Sequence, residues 1–157
     1  MAKIVIECLP VSEAPVALPP GADPQHLYLV FIDDDGNEQV IRGDGPTGII
    51  ETQAGIPLSE SKDARGTATP EERNQADVEL MGRDPGEVWA TMVEHAKAIA
   101  AAEVPYRFYE NAQNSNSVVS SSLNSVGIDI DLNMPAGKNN DQGHFTGIEN
   151  KIDAVTP

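Results

Sequence analysis

Residues 26–45, HLYLVFIDDDGNEQVIRGDG, constrain this chain more than any other stretch. Two apolar runs flank DDDGN, and Gly36 offers the positive φ that a tight turn needs. The pattern predicts strands at about 26–33 and 37–43, joined as a hairpin. The first run is apolar almost throughout, so its strand is expected to be buried on both faces. A strand of that kind sits inside a sheet and needs a covering layer on each side. The rest of the chain has to supply those layers.

AKIVIECL (2–9) reads as a further strand from its β-branched content. PVSEAPVALPPGADPQ (10–25) is a proline-rich connector, unsuited to helix or central strand. TGIIETQ (47–53) is a candidate third strand beside the hairpin. Residues 54–79 are polar and nearly free of large apolar groups, and read as a surface loop or insertion. A helix is expected at about 84–103, with Asp84 as cap and Pro85 in its first turn. Val88, Trp89, Met92, Val93, Ala96, Ile99 and Ala100 make its apolar stripe. A shorter helix is expected at about 115–126, with Val118, Val119, Ser122, Leu123 and Val126 on one face and Gly127 at its stop. The tail, 128–157, is rich in Gly, Asn and Asp and reads as irregular. Strands first and helices later predict one α+β domain over 1–157, a small antiparallel sheet packed with two helices.

Composition excludes several classes. The net charge is −15, which repels phosphate backbones, so sequence-independent nucleic-acid binding is not expected. A cationic partner or calcium fits that charge better. The single cysteine, Cys8, rules out a disulfide framework and reads as a small buried apolar residue. No stretch approaches the roughly 18 apolar residues of a membrane span. The N-terminus lacks signal-peptide features, so the expectation is a cytoplasmic protein, or one exported by another route.

YENAQNSNSVVSSSLNSVG (109–127) places small polar residues where the second helix begins. Asn114 reads as the cap and Ser115 as the first helical residue. A helix start concentrates unpaired N–H groups and partial positive charge, which stabilise an anion formed there. Ser115 is therefore a candidate nucleophile, and the same residues also read simply as a cap. A serine nucleophile needs a base. His95 falls mid-helix on the polar side, and His144 in the irregular tail. His26 opens the first strand of the hairpin, where a side chain is held rigidly and still reaches a cleft.

The order of HLYLVFIDDDGNEQVIRG and, far downstream, NSNSVVSSSL resembles the circularly permuted branch of the papain-like NlpC/P60 superfamily, which includes lecithin:retinol acyltransferase-like enzymes. The NSNS segment is also similar to uncharacterised domains of bacterial secreted, calcium-binding, repeat-bearing and toxin-like proteins. The resemblance covers residues 26–43 and 104–127. It implies a permuted papain-like fold, with His26 as base and Ser115 standing where the family has a cysteine. It departs from the family at that atom, because a serine is far less acidic than a thiol. It implies hydrolysis or transfer at an amide or ester carbonyl of a peptide, peptidoglycan or lipid ester, as in a secreted bacterial effector. A catalytically inactive binding module, secreted or phage-associated, is the alternative.

Asp44 is the candidate to orient the imidazole, being roughly opposite His26 if the hairpin turns at 34–36. Between Gly43, Gly45 and Pro46 it also reads as a turn residue. Asn114 and Asn116, or backbone amides at the helix start, are the candidate oxyanion donors. Ser117 is the second candidate nucleophile, and Arg42 is a candidate for an anionic group or a nearby carboxylate. No cofactor is required. DIDLN aligns Asp129, Asp131 and Asn133 like the first half of a calcium loop, without the glycine and glutamate that complete one. No zinc-ligand spacing is present.

Overall fold

The computed structural model describes residues 1–10, 25–63, 75–107, 113–130, 133 and 152. The expected hairpin forms from β2 (Gln25–Ile32) and β3 (Glu38–Asp44), antiparallel, with Leu29 opposite Ile41 and Ile32 opposite Glu38. Its turn is held by Asp33. That carboxylate accepts from the backbone N–H of Asp35 and of Asn37, each at 2.9 Å, and Gly36 sits at φ 84°. The acidic run DDDG is thus explained by turn chemistry.

β1 (Lys3–Pro10) pairs with β2 along its whole length, from Lys3 opposite Ile32 to Pro10 opposite Gln25. β4 (Glu51–Pro57) lies outside β3, and the short β5 (Gln75–Asp77) lies outside β1. The five strands run antiparallel in the order β4-β3-β2-β1-β5. β4 begins later than the expected third strand because residues 46–48 turn first. The stretch expected to be a polar loop contributes all of β4 after Gln53, a 3-10 turn at Leu58–Glu60, the buried Asp63, and β5. The apolar Leu58 anchors this connector in the core. Residues 64–74 lie outside the described residues.

α1 (Pro85–Ala101) is capped by the Asp84 carboxylate, which accepts from Glu87 N–H at 3.0 Å, with Pro85 at the first helical position. It buries the expected stripe from Val88 to Ile99, with Ala98 added and Ala100 only half-buried. α2 is Ser115–Ser125. Both helices pack on the sheet face that presents Ile4, Ile6, Cys8, Leu27, Leu29 and Ile41. The opposite face carries Val5, Tyr28, Val30 and Val40, buried with Leu58. β2 is therefore covered on both sides, as its unbroken apolar run requires.

Part of the expected irregular tail is built into the core. Ile128, Ile130 and Ile152 are buried in the main cluster. The Asn133 side chain accepts from Glu79 N–H and donates to the Asp129 carbonyl, so it serves as a structural clip. Asp131 and His144 lie outside the described residues. His95, expected to be solvated, is half-buried and hydrogen-bonds the Ile152 carbonyl at 3.1 Å. The described residues include no helix long and apolar enough to cross a membrane. Among them no three His, Cys, Asp or Glu side chains cluster to hold a metal.

Candidate active site

β2 begins and β3 ends at the same end of the sheet, and α2 starts there. The β2–β3 register stops at Leu29 and Ile41. Beyond it, Leu27 N–H donates to the Asn116 side-chain oxygen at 2.8 Å, so an α2 side chain takes the place of a strand partner. Two glycines of β3 and its exit admit the neighbouring groups. A Cβ on Gly43 would lie 2.6 Å from a Val118 methyl, and one on Gly45 would lie 2.3 Å from the Tyr106 ring. Contacts that short do not occur between real side chains, so Gly43 seats α2 and Gly45 seats Tyr106. In the run RGDG every second residue makes room while Arg42 and Asp44 carry charge.

α2 begins with a reciprocal cap. The Asn114 side chain accepts from Asn116 N–H at 3.0 Å, and Ser117 Oγ accepts from Asn114 N–H at 3.0 Å. This fixes the first turn and places Ser115 at its first position. The Ser115 amide is then one of the donors the helix itself cannot use.

The Ser115 hydroxyl lies 3.1 Å from His26 Nδ1, and His26 Nε2 lies 2.9 Å from Asp63 Oδ2. A carboxylate only accepts, so Nε2 carries the proton and the Nδ1 lone pair faces the serine. The imidazole also stacks on Tyr28, with centroids 5.8 Å apart. Its ring plane is thus set by packing as well as by hydrogen bonds. Tyr106 is partly buried and close enough to the Ser115 side chain for the two to influence each other. Burial pushes the Tyr106 hydroxyl up, and Asp44's charge adds to this against the opposing Ser115 contact and Arg42 charge. Tyr106 therefore stays protonated near neutral pH and remains a donor.

The carboxylate that hydrogen-bonds His26 is Asp63 and not Asp44. Arg42 Nε donates to Asp63 Oδ2 at 2.7 Å, and Arg42 Nη1 donates to Asp44 Oδ2 at 3.0 Å. Lys62 Nζ closes on the same Asp44 oxygen at 2.7 Å. Asp44 is engaged by these two cations. Burial alone would raise the Asp63 carboxyl, but the hydrogen bonds and charges of His26 and Arg42 outweigh it and hold it below its ordinary range. Burial likewise opposes, and Lys62 and Arg42 outweigh it, at Asp44.

Of the residues expected at the site, His26 and Ser115 are brought into hydrogen-bond contact. Arg42 pairs with two nearby carboxylates, Asp63 through Nε and Asp44 through Nη1. Ser117 is fully buried and committed to the cap, which removes it as a nucleophile. The Asn114 side-chain oxygen serves the cap and its amide group reaches the Arg107 carbonyl at 3.4 Å, while the Asn116 side-chain oxygen holds β2. Asp63 and Tyr106 were not signalled by spacing. The available clues were the lone Leu58 inside a polar run and an aromatic residue just ahead of the serine-rich helix. No family model matches the chain, and neither curated proteins nor solved structures contain a match to it.

Proposed function

We propose that this protein is a serine hydrolase or acyltransferase acting on an amide or ester bond, with Ser115 as nucleophile, His26 as base and Asp63 as orienter. The observation that carries this reading is the continuous path from Ser115 Oγ through His26 Nδ1 and Nε2 to Asp63 Oδ2, at 3.1 and 2.9 Å. Ser115 Oγ attacks the carbonyl carbon while its proton passes to Nδ1. The resulting imidazolium is stabilised by Asp63. Negative charge forming on the carbonyl oxygen is met by the helix start, through the Ser115 amide, and by the Tyr106 hydroxyl. Collapse of the tetrahedral species returns the proton from Nδ1 to the leaving group and leaves an acyl-serine. Water or an acceptor alcohol or amine then releases the acyl group.

The permuted papain-like resemblance supports this reading through the chain order of His26 and Ser115, with a hydroxyl in place of the thiol and Asp63 as the group that orients the imidazole. It suggests peptides, peptidoglycan stems or lipid esters as substrates, and a role as a secreted bacterial effector. The direct test is a panel of p-nitrophenyl esters, peptide amides and muropeptides, followed by product analysis with the native chain and with Ser115→Ala. Turnover lost in Ser115→Ala supports the proposal. Turnover retained by folded Ser115→Ala contradicts it. A folded native chain that binds a panel member without turning it over supports instead the inactive binding module.

A further inference from the structure

Asp63 Oδ2 receives two donors. His26 Nε2 approaches it at 2.9 Å and Arg42 Nε at 2.7 Å. The side chains involved are nearly closed to water, with exposures of 14% for His26, 6% for Asp63 and 8% for Arg42. In such surroundings charge matching is poorly screened. The array holds two carboxylates, Asp63 and the partly exposed Asp44, against two cations, the buried Arg42 and the exposed Lys62. With a neutral imidazole the array is balanced. Protonating His26 leaves one positive charge in excess.

We propose that Arg42 is a positioning residue that keeps His26 available as a base: by sharing Asp63 Oδ2, it supplies the counter-charge that an imidazolium would otherwise provide. Without Arg42, Asp63 would be an unmatched buried carboxylate, and its simplest partner would be a protonated His26. That imidazole cannot accept the Ser115 proton. With Arg42 in place, Asp63 still holds the ring through Nε2 but gains little from a second cation. The fork geometry matters, because one guanidinium reaches Asp63 through Nε and Asp44 through Nη1.

The groups that set this balance come from every element around the ring. They are Asp63 and Lys62 from the connector after β4, Arg42 and Asp44 from β3, and Tyr106 through Ser115. Tyr28 stacks on the ring from β2, and Glu7 on β1 stands in register with Tyr28. Of these, Arg42 is the cation in contact with the oxygen that His26 uses.

The inference rests on the hydrolase reading for its meaning, but its test needs no turnover. The imidazole of His26 is titrated by proton–nitrogen NMR in the intact protein, with the resonance assigned from His26→Gln. In Arg42→Gln the titration curve moves to higher pH. Arg42→Lys, which restores charge but not the fork, moves it less. The rate of fluorophosphonate labelling follows, falling several-fold near pH 6 and staying within about twofold near pH 8.5. A curve in folded Arg42→Gln that coincides with the native one, or moves to lower pH, overturns the proposal. Should Arg42→Gln fail to fold, Asp44→Asn leaves the guanidinium charge to Asp63 alone. The curve then moves to lower pH, and an unmoved curve overturns the proposal equally. A tuned imidazole in a protein that never labels sinks only the hydrolase reading. An untuned imidazole in an active protein sinks only this one.

Discussion

α1 and α2 pack on the same sheet face and are built by opposite rules. α1 is amphipathic: it buries Val88, Trp89, Met92, Val93, Ala96 and Ile99 and leaves Thr91, Glu94 and Lys97 in water. Every residue of α2 from Ser115 to Leu123 is buried. A helix enclosed all round is normally apolar all round, yet this one is largely serine. The hydroxyls resolve the conflict by bonding back to the helix. Ser122 Oγ donates to the Val118 carbonyl at 2.7 Å and Ser120 Oγ to the Ser117 carbonyl at 3.3 Å. Ser121 Oγ accepts from Ile152 N–H at 2.6 Å, tying the tail to the helix. Small side chains let neighbouring backbone come close, and back-bonding removes the cost of burying their oxygens. α1 is held by what it buries. α2 is held by closeness and satisfied polar groups.

This contrast can be broken from either side. The largest effect is expected at the carboxylate behind the imidazole that α2 engages. Asp63→Asn lowers the rate of active-site labelling by about 10²- to 10⁴-fold, because an amide no longer enforces the required imidazole tautomer. Asp44→Asn lowers it by less than about tenfold. Labelling time courses distinguish the two, and equal losses would show that the orienter is misassigned.

Stability separates the helices next. Met92→Ala removes a fully buried side chain from α1 and costs about 2–5 kcal/mol in urea unfolding. Ser122→Leu asks α2 to hold extra volume where exposure is zero and costs about 1–3 kcal/mol. The same leucine at exposed Lys97 of α1 changes stability by no more than about 0.5 kcal/mol. If Ser122→Leu were as mild as Lys97→Leu, the all-round enclosure of α2 would be wrong. Asn114→Ala, which deletes the cap of α2, costs about 1 kcal/mol by the same assay.

The smallest effect is the acid dependence. Asp63 and Asp44 are both held below the ordinary carboxylate value of 3.8 in the folded chain. Their contribution to stability is therefore fully present above that value and is lost as pH falls through their folded-state titration. The part of the urea midpoint that these two carboxylates set should fall as pH drops below about 4. Asp44→Asn should soften that fall, since part of the proton-linked loss is removed with the carboxyl.

The sequence showed what depends on local pattern. The hairpin, the cap and stripe of α1, and the cap that begins α2 are written in residues within a few positions of one another. His26 and Ser115 were found by their chain order and element ends, although 89 residues separate them. Asp63 was hidden because the connector after β4 reads as polar loop. Only the register of β3 and β4 and the Leu58 anchor bring it back beneath the sheet. Asp44 was the natural expectation for an orienter, but Arg42 and Lys62 compete for it, and such competition appears only once three elements are assembled. Gly43 and Gly45 read as turn residues. Their role is to admit Val118 and Tyr106, a close approach between segments that no local pattern records.

The central claim is that Ser115 is an activated hydroxyl. Its most direct test is labelling with a fluorophosphonate, followed by peptide mapping of the adduct in the native chain, His26→Ala and Ser115→Ala. One adduct is expected, on Ser115, with labelling lost in Ser115→Ala and slowed at least about 10³-fold in His26→Ala. A folded native chain that takes no label, or an adduct on Ser115 that forms equally fast without His26, would contradict it.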